Sequence, residues 1–351
     1  MTQRLFWAAI AALLAAFALA PVLLSHDVYS YVDYARLGVV RGLDPYTHPP
    51  AAAPFDPAYA RVTWIDETSA YGPLFTLVTY PLAWLPVWTA VAALKAIAAL
   101  SVLGIAVLVA RLAPSRGVSP LGAAAFVALN PLVLIHVVGG AHNDGLAMLP
   151  ATIGIAAMLA SREASAGATF VAAFAIKAPA ALASPFALLS TPPTGRKPTK
   201  YVGNGPIGDR GRLLLGAGGA ALALGLAAYA AFGWNWLDAI GLAGETQHRT
   251  SHMSIPITVA RLTGLDPTAV RATALALFAA VFIYLLAWTW RGNDWLRAAA
   301  WASFALLIAT AWLLPWYLIW ALPLVALSRD RPLQLLTLAL TAYQLPARLP
   351  L

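Results

Sequence analysis

The stretch VWTAVAALKAIAALSVLGIAVLVAR, residues 87–111, carries a single lysine before the arginine at its end and is otherwise uncharged. A run of about 20 apolar residues is long enough to cross the hydrocarbon core of a membrane as an α-helix. Strands of a membrane barrel would alternate apolar and polar residues, whereas this run is continuous and rich in alanine and leucine. The stretch therefore predicts a membrane-spanning helix.

The composition of the whole chain supports the same prediction. Of its 351 residues, 61% are hydrophobic and only 10% are charged, whereas a soluble domain carries about 25% charged residues. The chain has no cysteine, which excludes disulfides and thiol chemistry. We expect an all-α, polytopic bundle of roughly 10–12 membrane helices, several of them short or broken, forming one integral membrane domain over residues 1–351.

Apolar runs recur along the chain. Seven are further candidate spans, namely Val87–Arg111, Ser119–Val138, Ala141–Ala160, Leu213–Phe232, Ala269–Trp290, Trp301–Leu314 and Leu333–Leu349. Three are too short to cross alone, namely Tyr71–Leu85, the Pro-interrupted pair Gly167–Ile176 and Ala180–Leu189, and Leu318–Leu327. Short or interrupted helices at membrane depth tend to line a cavity rather than face lipid.

The first apolar run, Leu5 to Leu24, has two interpretations. Ala18-Leu19-Ala20 resembles the cleavage site of a signal peptide. Pro21 follows that site directly, where it hinders cleavage, and further apolar runs come later. We therefore interpret the run as an uncleaved first span whose N-terminus lies inside.

The basic residues predict the orientation. The segment 191–212 is the strongest inside signal and forms the expected cytoplasmic basic loop, with Arg196, Lys197, Lys200, Arg210 and Arg212 against Asp209. This placement requires the stretch 167–189 to enter and return as two half-helices around Lys177. The net charge of +8 is thus explained by membrane topology, and we expect no nucleic-acid partner. Most acidic residues and all six histidines then fall on the outer side, which suggests chemistry there.

The first outer loop, residues 25–70, follows the first run directly and is rich in tyrosine and proline. Val28, Val32, Ala35 and Val39 share one face of a predicted helix, which suits an interfacial position. Asp27 has two interpretations, a helix cap and a functional acid, and by itself it favours neither. Asp44 lies in a turn sequence.

Few ionisable residues lie near the spans. Lys95 is expected to extend towards the outer interface, whereas Lys177 lies at a break between half-helices, where a cation can meet an anion. The stretch His142-Asn143-Asp144 has three interpretations: substrate ligands, a metal pair, or a turn with a helix cap.

The second outer loop, residues 233–256, combines tryptophans with His248 and Arg249. Aromatic and cationic side chains together suit a sugar or a phosphate, and an interfacial aromatic belt is the alternative. Pro315-Trp316-Tyr317 again places aromatic side chains at an outward break.

Several motifs together resemble the polyprenol-phosphate-mannose-dependent α-mannosyltransferases of actinobacteria, which are membrane glycosyltransferases of fold class C. In chain order the motifs are Asp27-Val28-Tyr29-Ser30-Tyr31 through Gly42-Leu43-Asp44-Pro45-Tyr46, Ser69-Ala70-Tyr71-Gly72-Pro73-Leu74, Asn130-Pro131 with Gly139-Gly140-Ala141-His142-Asn143-Asp144, Lys177-Ala178-Pro179 and Pro315-Trp316-Tyr317.

The resemblance implies a polyprenyl-phosphate sugar donor, most simply of mannose, and a glycan or glycolipid acceptor on the outer face of the cell membrane. It also implies a catalytic acid in the first outer loop, which Asp27 matches. The chain is shorter than this resemblance suggests and has no clean Asp-x-Asp pair. The acceptor and a divalent metal therefore stay open.

The expected reaction is a base-assisted, inverting sugar transfer. Asp27 is the expected base, with Asp33 and Asp44 as second choices. Lys177 and Arg249 are expected on the phosphate, with help from His142 or His248. The remaining predicted substrate-binding residues are His26, Asp33, Tyr71, Asn143, Asp144, Trp316 and Tyr317.

A multi-span transporter or a lipid or glycan flippase is the main alternative, and a structural membrane protein is the third. Transporters often contain repeated halves with matching broken helices, and the sequence shows no internal repeat. Nearly all its acids also lie in loops rather than within spans. These two features favour the transferase.

Overall fold

The structure, a computed structural model, describes residues 2–191, 208–245 and 249–347, with only the backbone for residues 243–245. These ranges are helical and contain no strand, which confirms the expected class. The α-helices are α1 Gln3–Leu19, α2 Asp27–Arg41, α3 Pro73–Thr79, α4 Val87–Leu112, α5 Pro120–Ala128, α6 Asp144–Leu159, α7 Glu163–Ile176, α8 Ser184–Ser190, α9 Asp209–Phe232, α10 Asp238–Glu245, α11 Ile255–Thr263, α12 Pro267–Trp290, α13 Trp295–Ala309, α14 Leu322–Leu327 and α15 Arg331–Gln344. A π-helical segment covers Val133–Gly139, and 3₁₀ turns cover Tyr80–Trp84 and Pro315–Trp320.

Three of the described helical segments are long and apolar enough to cross a membrane alone. They are Val87–Arg116, Asp209–Phe232 and Pro267–Trp290. The pair Pro120–Ala128 and Val133–Gly139 is bent by 61° and would count as a fourth span. Six further apolar helices have 10–17 residues, so the structure agrees with a polytopic helical membrane protein containing short and broken helices.

Helices α9 and α12 present apolar side chains outward. Only 11% and 6% of their most apolar windows are buried within the protein. Leu222, Leu226, Leu277 and Ile283 are among the exposed side chains. Because such apolar surface is unfavourable in water, we expect these faces to contact lipid.

Helix α4 lies at the centre of the core and packs against α1, α5 and α6. Lys95 is buried in α4, and its Nζ donates hydrogen bonds to the backbone oxygens of Ala20 and Pro21, just past the end of α1. A cation at this position satisfies carbonyl groups that a helix end leaves unpaired. The lysine therefore extends towards the end of a neighbouring helix, and its role is structural.

Helices α7 and α9 approach each other closely through two glycines. A Cβ added to Gly167 would lie 2.1 Å from the Leu213 oxygen, and one added to Gly216 would lie 1.9 Å from the Ala164 oxygen. Only glycine fits such a backbone contact, which resembles the small-residue packing of membrane helices. This contact fixes α9 against the short helix α7.

Two predicted spans differ from the observed elements. The run Ser119–Val138 is bent where Pro131 lacks the amide hydrogen that a continuous helix needs, and Asn130 Oδ1 accepts from the Leu132 amide instead. The run Trp301–Leu314 begins earlier, because Asp294 Oδ1 accepts from the Leu296 and Arg297 amides, and the helix ends at Ala309. The polar residues at these two points, Asn130 and Thr310, are buried.

The break expected around Lys177 is present. Helix α7 ends at Ile176, Lys177 is extended with φ −159°, and α8 begins at Ser184 after a 3₁₀ turn. Arg196, Lys197 and Lys200 of the predicted cytoplasmic loop lie outside the described residues. The inside position of that loop stays a prediction.

Candidate active site

A cavity of about 710 Å³ lies between the first outer loop, the break after α7 and the turn Pro315–Trp320. We call the polar and aromatic part of its lining the polar end and the apolar part the apolar end. The polar end is lined by Asp27, Tyr31, Tyr34, Trp64, Glu67, Tyr71, Lys177, Arg249, Trp316, Tyr317 and Trp320. The apolar end is lined by Val171, Phe174, Ala221, Leu224, Gly225, Ile240, Leu275, Phe278 and Leu306.

Asp27 lies at the polar end as the first residue of α2. It does not cap the helix, because His26 occupies the cap position and makes no side-chain capping bond. The Asp27 side chain is 19% exposed, so it is largely sheltered and still open to the cavity. Its carboxylate near the helix start also benefits from the helix dipole. The capping interpretation of Asp27 therefore does not match the structure, and its functional role stays a prediction.

Two aromatic side chains approach the Asp27 carboxylate from different elements. Trp64 Nε1 donates a hydrogen bond to Oδ1 at 3.2 Å. His142 Nδ1 lies 3.7 Å from Oδ2. The carboxylate is therefore held between the first outer loop and the segment before α6.

His142 is buried behind Asp27 and does not line the cavity. Its ring stacks on Trp316 with centroids 3.5 Å apart and ring planes at 16°. The backbone around it is tight: Ala141 has φ +55°, and a Cβ on Gly140 would lie 2.6 Å from the His136 oxygen. The glycines before His142 thus permit the close turn that places its ring against Asp27.

Asp144 and Lys177 form a buried ion pair at the wall of the cavity. Lys177 Nζ lies 2.8 Å from Asp144 Oδ1 and 2.9 Å from Oδ2, and Trp320 Nε1 donates to Oδ1 at 2.7 Å. Asp144 is fully buried, whereas Lys177 keeps 18% of its side chain exposed. Its Nζ also lies 5.1 Å from the centre of the Tyr317 ring. One face of the ammonium group therefore remains available to an anion in the cavity.

Arg249, from the expected second outer loop, also lines the cavity. Its guanidinium stacks over the Trp64 ring, 4.6 Å from the centroid, and forms an ion pair with Glu67. Cation–π contact of this kind holds arginine in a defined direction. Among the described residues, the cavity lining thus includes Lys177 and Arg249, which come from distant segments of the chain.

The segment just after the first outer loop is fixed to α7 by a backbone contact. The Gly72 amide donates to the Ile176 oxygen at 3.2 Å, and a Cβ on Gly72 would lie 2.2 Å from the Ala175 oxygen. Glycine is therefore required where Tyr71-Gly72-Pro73 meets the end of α7. This contact sets the position of Tyr71 relative to Lys177.

Tyr31 adds a neutral donor to the polar end. Burial, and then the nearby charges of Asp27 and Asp144, raise the pKa of Tyr31 well above its ordinary value. Its phenol consequently keeps its proton across the physiological range. The ring packs edge-on against Tyr71, with centroids 4.9 Å apart.

Asp33 lies on another face of α2 and does not line the cavity. It is 1% exposed, and neither of its carboxylate oxygens has a hydrogen-bond partner among the described residues. Burial, then the charge of Asp56, raises the pKa of Asp33 to about 7, although Arg36 and Arg41 oppose the change. Asp33 was predicted from the sequence to bind substrate, but in the structure it lies outside the cavity that other predicted residues line.

The structure brings half of the predicted residues to the cavity. Those that line it are Asp27, Tyr71, Lys177, Arg249, Trp316 and Tyr317. Three others are buried behind the lining residues and contact them, namely His142, Asn143 and Asp144. His26 is exposed and packs edge-on against Tyr29. Asp44 lies outside the cavity, where its Oδ1 accepts from the Tyr46 amide in the expected turn. His248 lies outside the described residues.

Sequence reasoning missed the roles of Trp64, Glu67 and Trp320. The sequence features that could have indicated these residues are the abundance of aromatic residues in the first outer loop and the close spacing of Trp316, Tyr317 and Trp320. These residues reach the site from positions far apart in the chain. Such long-range contacts leave no local pattern in a single sequence.

The donor groups described here do not make an evident metal site. No cluster of three or more His, Asp or Glu side chains occurs among residues 2–191, 208–242 and 249–347. One interpretation of the sequence made His142 and Asp144 a metal-binding pair. Their side chains have different partners in the structure, since Asp144 binds Lys177 and His142 faces Asp27. We therefore derive no step through a metal.

The family described as "Alpha-(1->6)-mannopyranosyltransferase, N-terminal domain" matches residues 1–192. The chain is also 31% identical over 339 residues to a Mycobacterium tuberculosis protein named alpha-(1->6)-mannopyranosyltransferase A, covering 88% of this chain and 63% of that protein. A Corynebacterium glutamicum protein of the same name is 31% identical over 169 residues, covering 47% of this chain and 34% of the relative.

The chain thus spans less than two thirds of the length of these relatives. No solved structure matches it. The matched residues 1–192 include Asp27, Trp64, His142, Asp144 and Lys177, whereas Arg249 and the turn Pro315–Trp320 lie beyond them.

Proposed function

Because the chain belongs to the family of alpha-(1->6)-mannopyranosyltransferase N-terminal domains, we propose that it transfers mannose from a polyprenyl-phosphate donor to a glycan or glycolipid acceptor. The relatives named above are mannosyltransferases, which supports the sugar. The motifs quoted from the sequence support the lipid-phosphate donor. The acceptor and the linkage formed by this chain are parts of the proposal.

The observation that carries the proposal is a single cavity joining a polar end to an apolar end. Asp27, Lys177 and Arg249 lie at one end, and apolar residues of α7, α9 and α12 line the other. Helices α9 and α12 are also, of the three long candidate spans among the described residues, the two whose apolar windows are least buried within the protein. A donor with a charged head and a hydrocarbon tail matches this division, since each part is transferred to an environment of its own polarity.

The two cations are suited to the phosphate. Lys177 presents a partly exposed ammonium group, and Arg249 presents a guanidinium held over Trp64. Positive groups aimed at the leaving phosphate stabilise the charge that develops on it during transfer. Binding the donor requires Arg249 to share or exchange its contact with Glu67.

Asp27 is the proposed base. In this reaction its carboxylate takes the proton of the acceptor hydroxyl as that oxygen attacks the anomeric carbon. The bond from that carbon to the phosphate oxygen breaks, and the phosphate leaves with the electron pair. Attack from the side opposite the phosphate inverts the configuration. The sheltered position of Asp27 beside an open cavity suits this role.

We place the reaction on the outer face of the cell membrane. The support is the sequence asymmetry, with basic residues on the expected inner side and acids and histidines on the other. Asp27, Glu67 and Arg249 all belong to the two expected outer loops. An acceptor glycan would then approach from the aqueous side, while the lipid donor remains in the membrane.

The test is mannose transfer by purified protein in detergent, with polyprenyl-phosphate mannose and a mannan acceptor but no ion gradient. Asp27→Asn keeps a hydrogen-bond acceptor for Trp64 but loses the basic oxygen, so we expect transfer to fall by roughly 10²-fold or more. Asp266→Asn, which changes an exposed helix cap outside the cavity, is the matched control. Full transfer by Asp27→Asn would refute the assignment of the base.

The same assay separates the transferase from a transporter or flippase. Those proteins move a substrate without changing its covalent structure. Formation of mannosylated acceptor and free polyprenyl phosphate in detergent therefore supports the transferase. An intact donor after prolonged incubation with the protein and a panel of acceptors would contradict it.

A further inference from the structure

Trp64 connects two of the charged groups at the polar end of the cavity, Asp27 and Arg249. Its indole Nε1 donates to Asp27 Oδ1 at 3.2 Å, and its ring face carries the Arg249 guanidinium at 4.6 Å. We propose that Trp64 is a positioning residue, which aims the Asp27 carboxylate at the acceptor while its ring holds Arg249 towards the donor phosphate. This proposal rests on the transfer reaction proposed above.

The hydrogen bond restricts the carboxylate. An aspartate at the start of a helix can turn towards solvent or towards nearby backbone amides. A donor on Oδ1 selects one side-chain direction and leaves Oδ2 at a fixed angle, 3.7 Å from His142 Nδ1. A base must meet its proton within hydrogen-bond reach and in a productive direction, so restriction of this kind favours transfer.

The indole itself is held in place on several sides. Arg249, stacked on its ring, is also paired with Glu67, three residues further along the chain. Tyr34 Oη donates to the Glu67 backbone oxygen at 2.7 Å and to the Thr68 oxygen at 3.2 Å. Since Tyr34 belongs to α2, the segment that carries Trp64 is tied to the same helix that carries Asp27.

In this proposal the Trp64 ring contacts Arg249 and its N–H group binds Asp27, so substitutions can remove one interaction and keep the other. Trp64→Phe keeps an aromatic face for Arg249 but removes the donor to Asp27. Trp64→Ala removes both. We expect Trp64→Phe to lower kcat about tenfold with an unchanged KM for the donor, because a hydrogen bond to a charged group is lost. We expect Trp64→Ala to lower kcat similarly and also to raise the donor KM.

The chain offers a matched control outside the cavity. Trp301 Nε1 donates to Asp330 Oδ2 at 2.9 Å, the same kind of bond, and neither residue lines the cavity. Trp301→Phe should therefore cost stability without changing kcat. If Trp301→Phe lowers kcat as much as Trp64→Phe, the effect is one of general stability and the positioning role is wrong.

A double substitution tests whether Trp64 acts through Asp27. In the Asp27→Asn background no basic oxygen remains to be aimed, so Trp64→Phe should cause no further loss of kcat. A further tenfold loss would overturn the proposal. So would a normal kcat for Trp64→Phe alongside an inactive Asp27→Asn, an outcome that leaves the proposed function intact. Full activity of Asp27→Asn would overturn both.

Discussion

Replacing the buried carboxyl of Asp33 with an amide should change how stability depends on pH. The side chain is 1% exposed and lies on α2 away from the cavity, in the expected outer loop. Burial and the charge of Asp56 raise the pKa of Asp33 to about 7, from an ordinary value of about 4. Asp33→Asn keeps the shape of the side chain and removes the charge.

The direction in which stability changes with pH follows from proton binding. Between pH 4 and pH 7 the folded protein keeps the Asp33 proton that the unfolded chain releases, so rising pH favours unfolding. The full effect is reached above the folded pKa and amounts to roughly 4 kcal/mol, since each pH unit between the two pKa values contributes about 1.4 kcal/mol. Between pH 5 and pH 8 the expected loss from this one group is roughly 2–3 kcal/mol.

The measurement is the unfolding of purified protein in detergent, followed by far-UV circular dichroism at several pH values. We expect wild-type protein to lose stability from pH 5 to pH 8 and Asp33→Asn to lose less by roughly 2–3 kcal/mol. At pH 8 the variant should be the more stable of the two. Because other groups titrate equally in both proteins, the difference between them isolates Asp33.

Asp266→Asn is the control for the general effect of an Asp-to-Asn change. Asp266 Oδ2 accepts from the Ala269 amide at an exposed helix start, and the asparagine oxygen can accept the same bond, so Asp266→Asn should change stability little. Parallel pH curves for wild-type and Asp33→Asn proteins would refute the assignment of a raised pKa to this buried carboxyl. A variant less stable than wild type at pH 8 would refute it as well.

Two other substitutions test the packing around the cavity. Lys177→Met leaves Asp144 buried without its cation and should destabilise the protein by roughly 3–5 kcal/mol. Adding Asp144→Asn should restore thermal stability but should not restore binding of the lipid-phosphate donor. Donor binding by the double variant would contradict the role of Lys177 on the phosphate. Gly72→Ala should lower stability by roughly 1–3 kcal/mol in the same unfolding assay, because its Cβ would lie 2.2 Å from the Ala175 oxygen. Gly218→Ala, with no atom within 4 Å of the added Cβ, is its control and should be neutral or stabilising.

Several predictions from the sequence agree with the structure because they depend on local patterns. The helix expected from the shared face of Val28, Val32, Ala35 and Val39 is observed as Asp27–Arg41, and the break at Lys177 occurs where Pro179 follows. Helical spacing and proline each act within a few residues. Helix ends were less accurate, as the early end of α13 at Ala309 shows.

The site was predicted only in part. Asp27 and Lys177 stand out because each is a charged residue beside an apolar run. His142, Asn143 and Asp144 also stand out as a group, but the sequence left their direction open. In the structure the three turn inward, where Asp144 pairs with Lys177 and His142 faces Asp27.

The sequence by itself determined that this chain is a helical membrane protein and which charged residues lie beside its apolar runs. Those properties follow from composition and from periodicity along the chain. Only the tertiary structure decided that Trp64, 37 residues after Asp27, donates to its carboxylate, and that Asp33, six residues after it, lies elsewhere. The reason is that hydrogen bonds and burial depend on distances in space, which helix packing sets and sequence separation does not.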